Sequence, residues 1–225
     1  MIDNMKSLKL LLVAALVLSV AATDAQSGKY QPIYYQRASL FEVLPVTPDD
    51  IVFLGNSITN GCEWSELFGS ANVKNRGISG DFTERLLERL DPIVAGRPKK
   101  IFLMIGINDI SRGRTVAEVV DGIARIVSRI RTESPDTKLY LQSLLPVTDY
   151  YGMFEGHTSR YRMVPEVNAE LQRLAASTGA VYIDLYSAFA DSDGKMKPEY
   201  TNDGLHLLGA GYLLWRDCLI SYINE

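Results

Sequence analysis

From Asp50 onward the chain alternates short, largely apolar runs with longer stretches in which apolar residues recur every three or four positions. That rhythm restricts the fold sharply. A brief run without polar alternation has the character of a strand covered on both faces, and the amphipathic helix after it supplies the crossover that a parallel neighbour needs. Five runs qualify: Ile51 to Leu54, Val73 to Arg76, Ile101 to Ile105, Leu139 to Ser143 and Val181 to Asp184. The spacing predicts helices over Thr83 to Ala95, Thr115 to Arg131, Pro165 to Ala176 and Gly209 to Ile223. In the first of these, Leu86, Leu87, Leu90, Ile93 and Val94 face the core, with Glu84, Arg85, Glu88 and Arg89 on the wet side. A short helix between Tyr30 and Leu44, ended by Pro45-Val46-Thr47-Pro48, is expected to pack on the sheet.

No linker, composition shift or fixed-period repeat divides the 225 residues, so one domain is expected over 26–225. Residues 1–25 read as a secretory signal peptide: Lys6 and Lys9 precede an apolar run from Leu10 to Ala22, followed by small and polar residues with a cleavage point near Ala22 or Ala25. An uncleaved anchor is the other reading of that run, which is short for a membrane span. Export, periplasmic or secreted, with no stable membrane insertion afterwards, is the expectation. The only two cysteines, Cys62 and Cys218, could then form a disulfide, but their apolar settings favour two buried thiols. A net charge of −4 offers no positive field for a phosphate backbone, which disfavours nucleic acid and suits a small-molecule or glycan substrate.

In a doubly wound sheet, ligands bind beyond the carboxyl ends of the strands, so the chemistry is sought there. Gly55-Asn56-Ser57-Ile58-Thr59-Asn60-Gly61 follows the first strand, a small-residue turn that lifts the Ser57 hydroxyl out. It spells neither a P-loop nor a dinucleotide fingerprint. A serine needs a base, and the chain holds two histidines, His157 and His206. His206 is the better one, because Asp203 three residues earlier can fold back to hold its imidazole, while His157 reads as a surface or capping residue. Gly77-Ile78-Ser79-Gly80-Asp81 offers the Gly80 N–H and Gly106-Ile107-Asn108-Asp109 the Asn108 amide as donors to an oxyanion, although either turn can be ordinary turn chemistry. Asp81 and Asp109 read as turn and helix-start residues supporting the site. No group of residues has metal-ligand spacing, so no metal and no cofactor is expected.

Taken together, Phe53 to Thr59, Gly77 to Asp81, Gly106 to Asp109 and Asp203 to His206 resemble, in order and spacing, the four blocks of the SGNH or GDSL-like hydrolases. The resemblance runs through nearly the whole mature chain. It implies a three-layer α/β/α, flavodoxin-like fold on a five-stranded parallel sheet, a triad of Ser57, Asp203 and His206, and an oxyanion hole from the Ser57 N–H, the Gly80 N–H and the Asn108 amide. One position departs from the pattern. Asn56 stands where the family usually has Asp, which removes a charge from the turn and leaves the chemistry as it is.

The long segment Pro146 to Val164 carries Tyr150, Tyr151, Phe154 and Arg160, candidates for stacking on sugar rings, lining an acyl pocket or meeting an anionic group. The resemblance implies a serine acylhydrolase similar to carbohydrate O-acetylesterases and the platelet-activating-factor acetylhydrolase group. A lysophospholipase or thioesterase for longer acyl chains is the other enzyme reading, and a glycan-binding protein without turnover is the reading from another class.

Overall fold

The computed structural model describes residues 29–225, and the expected signal peptide lies outside the described residues. The five strands are β1 (Ile51–Gly55), β2 (Val73–Gly77), β3 (Lys100–Met104), β4 (Lys138–Gln142) and β5 (Val181–Ile183). The longer helices are α1 (Pro32–Val43), α7 (Val116–Glu133), α9 (Met163–Thr178) and α11 (Gly209–Asn224). Shorter ones complete the series: α2 (Ser57–Asn60), α3 (Trp64–Leu67), α4 (Thr83–Glu88), α5 (Asp91–Ala95), α6 (Ile107–Ser111), α8 (Glu155–Thr158) and α10 (Tyr186–Phe189). All five strands are parallel, in the order β2-β1-β3-β4-β5, with helices on both faces. This is the expected three-layer arrangement, and the order reverses beside β1, where such sheets carry their ligands. No helix among the described residues is long and apolar enough to cross a membrane.

The sheet centre explains why the apolar runs were continuous. Phe53, Phe102 and Tyr140 pair in register across β1, β3 and β4, and their rings stack at 5.0 and 4.4 Å. Trp64 of α3 extends the column at 3.9 Å from Phe53, and Trp215 of α11 meets Trp64 edge-on. Such pairs add roughly 0.5–1.5 kcal/mol each beyond their buried area. Against the helices, Val119, Ile123, Ile126, Val127 and Ile130 of α7 and Val164, Val167, Leu171 and Ala175 of α9 are fully buried. At the far end of α11 the buried Lys100 donates to the carbonyls of Tyr222, Ile223 and Glu225 at 2.6, 3.0 and 2.8 Å, closing groups that a helix end leaves open.

Three sequence expectations need correction. The helix expected over Thr83 to Ala95 is two, α4 and α5, because Pro92 lacks an N–H and its ring excludes the carbonyl four residues back. Arg129 takes up the Leu87 carbonyl at 3.1 Å where the ladder stops. Arg85 and Arg89, placed on the wet side, are buried. Arg89 donates to Asp81 at 2.7 Å and to the Gly55 carbonyl at 3.0 Å, and Arg85 lies 3.3 Å from Asp81. The lead-in helix α1 covers this cluster and meets the sheet at its edge strand β2, where the Arg76 guanidinium stands 4.9 Å from the Phe41 ring centre. Tyr34, Phe41 and Ile78 form a small core of their own, the Arg85 guanidinium stands 4.4 Å from the Tyr34 ring centre, and Tyr34 Oη donates to the Arg85 carbonyl. Finally, Cys62 and Cys218 are both free thiols as expected, but Cys218 is only half-buried.

Arg89→Met leaves the Asp81 carboxylate buried with its closest partner gone. Removing one member of a buried pair costs about 3–5 kcal/mol, so the urea-unfolding midpoint of this variant is expected to fall accordingly.

Candidate active site

The turn after β1 is built to hold one hydroxyl. Buried Asn56 stands outside the helical region, and its Oδ1 accepts the Ile58 N–H at 3.0 Å, capping α2 as it begins at Ser57. The uncharged amide does this without burying a carboxylate. Asn75, in the middle of β2, shares its two amide hydrogens among the carbonyls of Thr59, Asn60 and Cys62 at 3.1, 3.1 and 2.9 Å and accepts the Gly77 N–H at 2.8 Å. Tyr212 of α11 donates to the Ile58 carbonyl at 2.9 Å. Ser57 therefore sits on a turn pinned from two neighbouring elements.

Across the cleft, Asp203 to His206 form a polar turn before α11. The Ser57 hydroxyl lies 3.1 Å from His206 Nε2, and His206 Nδ1 lies 2.7 Å from Asp203 Oδ2. The other oxygen of Asp203 accepts the backbone N–H groups of Leu205 and His206, both at 2.8 Å. Partial burial pushes the Asp203 carboxyl up, but these donors and the imidazole outweigh it and hold the acid below its ordinary range. Gly204 is required between them: its φ is +87°, and a Cβ there would lie 2.0 Å from the Thr148 carbonyl oxygen. The structure thus brings together Ser57, His206 and Asp203, a hydroxyl, a base and an orienting carboxylate in one line.

The other two blocks meet the same cleft. Gly80 is left-handed at φ +78°, and the N–H groups of Ser57 and Gly80 take part in none of the turn and loop hydrogen bonds of the surrounding chain. The buried Asn108 donates one amide hydrogen to the Asp81 carbonyl at 2.7 Å, which leaves its second hydrogen unspent on that bond. Asp81 is the acceptor of the arginine pair rather than a helix-start residue. Asp109 caps α4 instead of its own helix: its carboxylate accepts the Thr83 N–H at 3.2 Å and the Thr83 hydroxyl at 2.7 Å.

Of the four candidate substrate contacts, Phe154 reaches the triad, its exposed ring edge-on to His206 at 5.1 Å. Tyr151 donates to the Thr201 carbonyl, two residues before Asp203, and Tyr150 turns toward Asp191 and Lys195. The Arg160 guanidinium lies beside Gly113. His157 is neither a surface nor a capping residue: its Nε2 lies 2.8 Å from Asn108 Oδ1. Sequence reasoning missed it because its partner stands 49 residues away. It missed Asn75 too, where an Asn inside a short strand was a signal, since strands disfavour that residue.

A strand-end serine hydrogen-bonded to a carboxylate-held imidazole defines a serine ester hydrolase on a parallel α/β/α scaffold. The chain belongs to the GDSL-like Lipase/Acylhydrolase family, whose sequence profile matches residues 53–214, and it is an ester hydrolase. It is 31% identical over 169 residues to the Homo sapiens platelet-activating factor acetylhydrolase IB subunit alpha2, covering 72% of this chain and 71% of that protein. A solved structure from Streptococcus pneumonia, provisionally described as a platelet activating factor, superimposes with a TM-score of 0.76 at 32% identity, covering 94% of this chain and 99% of that one. An acetyl-xylooligosaccharide esterase from Geobacillus Stearmophilus shares the fold, with a TM-score of 0.64 at 18% identity over 80% of this chain and 96% of that one.

Two expectations follow from this geometry. Asn56→Ala removes the acceptor that caps α2, which costs about 1 kcal/mol and lowers ester turnover. Asn56→Asp keeps the acceptor and most of the rate, as thermal unfolding and initial velocities will report. Because folding depresses the Asp203 pKa, its stabilising contribution is complete above the unfolded value of about 3.9 and is lost as pH falls through the lower folded value. Asp203→Asn is expected to flatten that part of the acid limb in unfolding curves measured from pH 5 downward.

Proposed function

We propose that the chain hydrolyses short-chain carboxylic esters, acetyl esters foremost and O-acetyl groups on carbohydrates in particular, through an acyl-enzyme on Ser57. The observation that carries this reading is the unbroken hydrogen-bonded line from the Ser57 hydroxyl through His206 to Asp203. In the first half-reaction His206 Nε2 takes the Ser57 proton as Oγ attacks the ester carbonyl, and Asp203 stabilises the imidazolium from the other side. The tetrahedral oxyanion is met by the N–H groups of Ser57 and Gly80 and by the free amide hydrogen of Asn108. Each such donor is worth roughly 10²- to 10³-fold in rate. His206 then returns its proton to the leaving alcohol, the acyl group stays on Ser57, and the same imidazole activates the water that releases the acid.

Preference for a small acyl group draws on the relatives named acetylhydrolases, about a third identical to this chain. A glycan leaving group draws on the exposed Tyr150, Tyr151 and Phe154, flat surfaces of the kind on which sugar rings stack, on the segment whose Phe154 borders His206. Export of a mature chain beginning near Gln26 belongs to the same reading, since acetylated glycans are abundant outside the cell membrane.

The test is a series of p-nitrophenyl esters from acetate to palmitate. Turnover is expected to be highest on acetate and to fall with chain length. Ser57→Ala and Asp203→Asn are expected to lower kcat by about 10⁴-fold or more. A maximum on palmitate would transfer the assignment to long-chain lysophospholipase or thioesterase activity, and equal inertness of wild type and Ser57→Ala on every ester would overturn it.

A further inference from the structure

Resting on the oxyanion role of Asn108 proposed above, we infer that His157 is a positioning residue for the oxyanion hole, fixing the plane and polarity of the Asn108 carboxamide from the side opposite Asp81. A primary amide has one acceptor and two N–H donors. In Asn108 the acceptor Oδ1 lies 2.8 Å from His157 Nε2, and one donor is spent on the Asp81 carbonyl at 2.7 Å. With the Asp81 bond alone, the carboxamide can swing about that contact. The second bond, at the oxygen end, fixes the whole plane and with it the direction of the remaining N–H. Because Oδ1 can only accept, His157 must carry its ring proton on Nε2. Burial and then the nearby His206 hold the His157 pKa below its ordinary value, so the ring that donates is neutral near pH 7.

The bond has an electronic consequence as well. Donation into Oδ1 draws density from the amide nitrogen and makes the free N–H a better donor, the cooperative effect expected of hydrogen-bond chains in a low dielectric. A carboxamide released from His157 could also turn Oδ1 toward the oxyanion, where two acceptors would repel.

The segment that delivers His157 is braced against the same catalytic turn. The His157 N–H is bonded to the Phe154 carbonyl at 2.8 Å, and the Thr158 hydroxyl donates to the Met153 carbonyl at 2.9 Å. Thr158 is buried against Gly204, between Asp203 and His206. Helix α8 thus rests on the turn of the base while its histidine reaches the oxyanion donor, and Phe154 just before it borders His206 at 5.1 Å. A single four-residue helix couples the two halves of the site.

The experiment combines kinetics and spectroscopy on the full mature chain. With p-nitrophenyl acetate, His157→Ala is expected to lower kcat by about 10- to 100-fold with KM little changed, a fraction of the 10²- to 10³-fold that losing an oxyanion donor costs. His157→Gln, whose side-chain N–H can still reach Oδ1, is expected to recover most of that loss. In an Asn108→Ala background, His157→Ala is expected to change kcat less than about twofold, because the group it positions is gone. Equal losses in both backgrounds, or a fall in kcat/KM carried by KM alone, would overturn the inference. Independently of turnover, ¹⁵N NMR of the histidine rings in the Ser57→Ala protein is expected to find His157 protonated at Nε2, and a ring protonated only on Nδ1 would overturn it. An inert wild type with an Nε2-protonated His157 would instead count against the esterase reading while leaving the His157–Asn108 bond standing.

Discussion

One buried arginine holds the catalytic end of this sheet together. Arg89 reaches across from the helix after β2 to the last carbonyl of β1 and, with the same guanidinium, to the carboxylate of Asp81. The planar fork suits this double task in a way a lysine could not match. Its effect is geometric: the turn that presents Ser57 and the turn that presents Gly80 are fixed relative to each other before any substrate arrives. Asn108 then attaches to the backbone of Asp81, and Asp109 to the first turn of α4, so the third block is referenced to the second by two further buried contacts. Preorganisation of this kind lets fixed dipoles stabilise a developing charge without reorganising at the moment of reaction.

Beneath these contacts the sheet supplies stiffness. The ring column from Trp64 through Phe53 and Phe102 to Tyr140 runs across three strands, and Trp215 locks α11 onto it while donating to Gln142 of β4 at 2.7 Å. The base enters the site from the residues leading into α11, the nucleophile from the end of β1, and the same aromatic column ties both. A 3.1 Å approach between Ser57 and His206, whose chain positions are 149 residues apart, depends on that shared footing.

Much of this was legible beforehand, for identifiable reasons. Strands buried on both faces leave unbroken apolar runs, so β1, β3 and β4 announce themselves, whereas β2, with Lys74, Asn75 and Arg76 in it, is placed correctly without carrying the apolar run expected of it. The site blocks were readable because together, in order and spacing, they resemble those of the hydrolase family, although each turn alone could be ordinary turn chemistry. What stayed hidden were side chains whose partners come from elsewhere in the chain. Helical periodicity put Arg85 and Arg89 on the outside, and Asp81, the Gly55 and Gly80 carbonyls and the rings of Tyr30 and Tyr34 together make their burial tolerable. His157 was passed over for the same reason, since nothing near it in sequence hints at Asn108. The break between α4 and α5 was different: Asp91-Pro92 stood in plain view, and the apolar stripe outweighed it.

The region that matches the family profile, residues 53–214, contains all four blocks, yet the packed core extends past both of its ends. It begins after α1, whose tyrosines cover the arginine cluster, and it stops just short of Trp215 and Leu219, both wholly buried, and of the helix end that Lys100 closes. Homology and packing have different borders in this chain. A library, chimera or graft cut at the recognisable motif would carry all the chemistry and leave behind the two segments that keep it dry and rigid, so the exchangeable module runs from α1 to the last turn of α11.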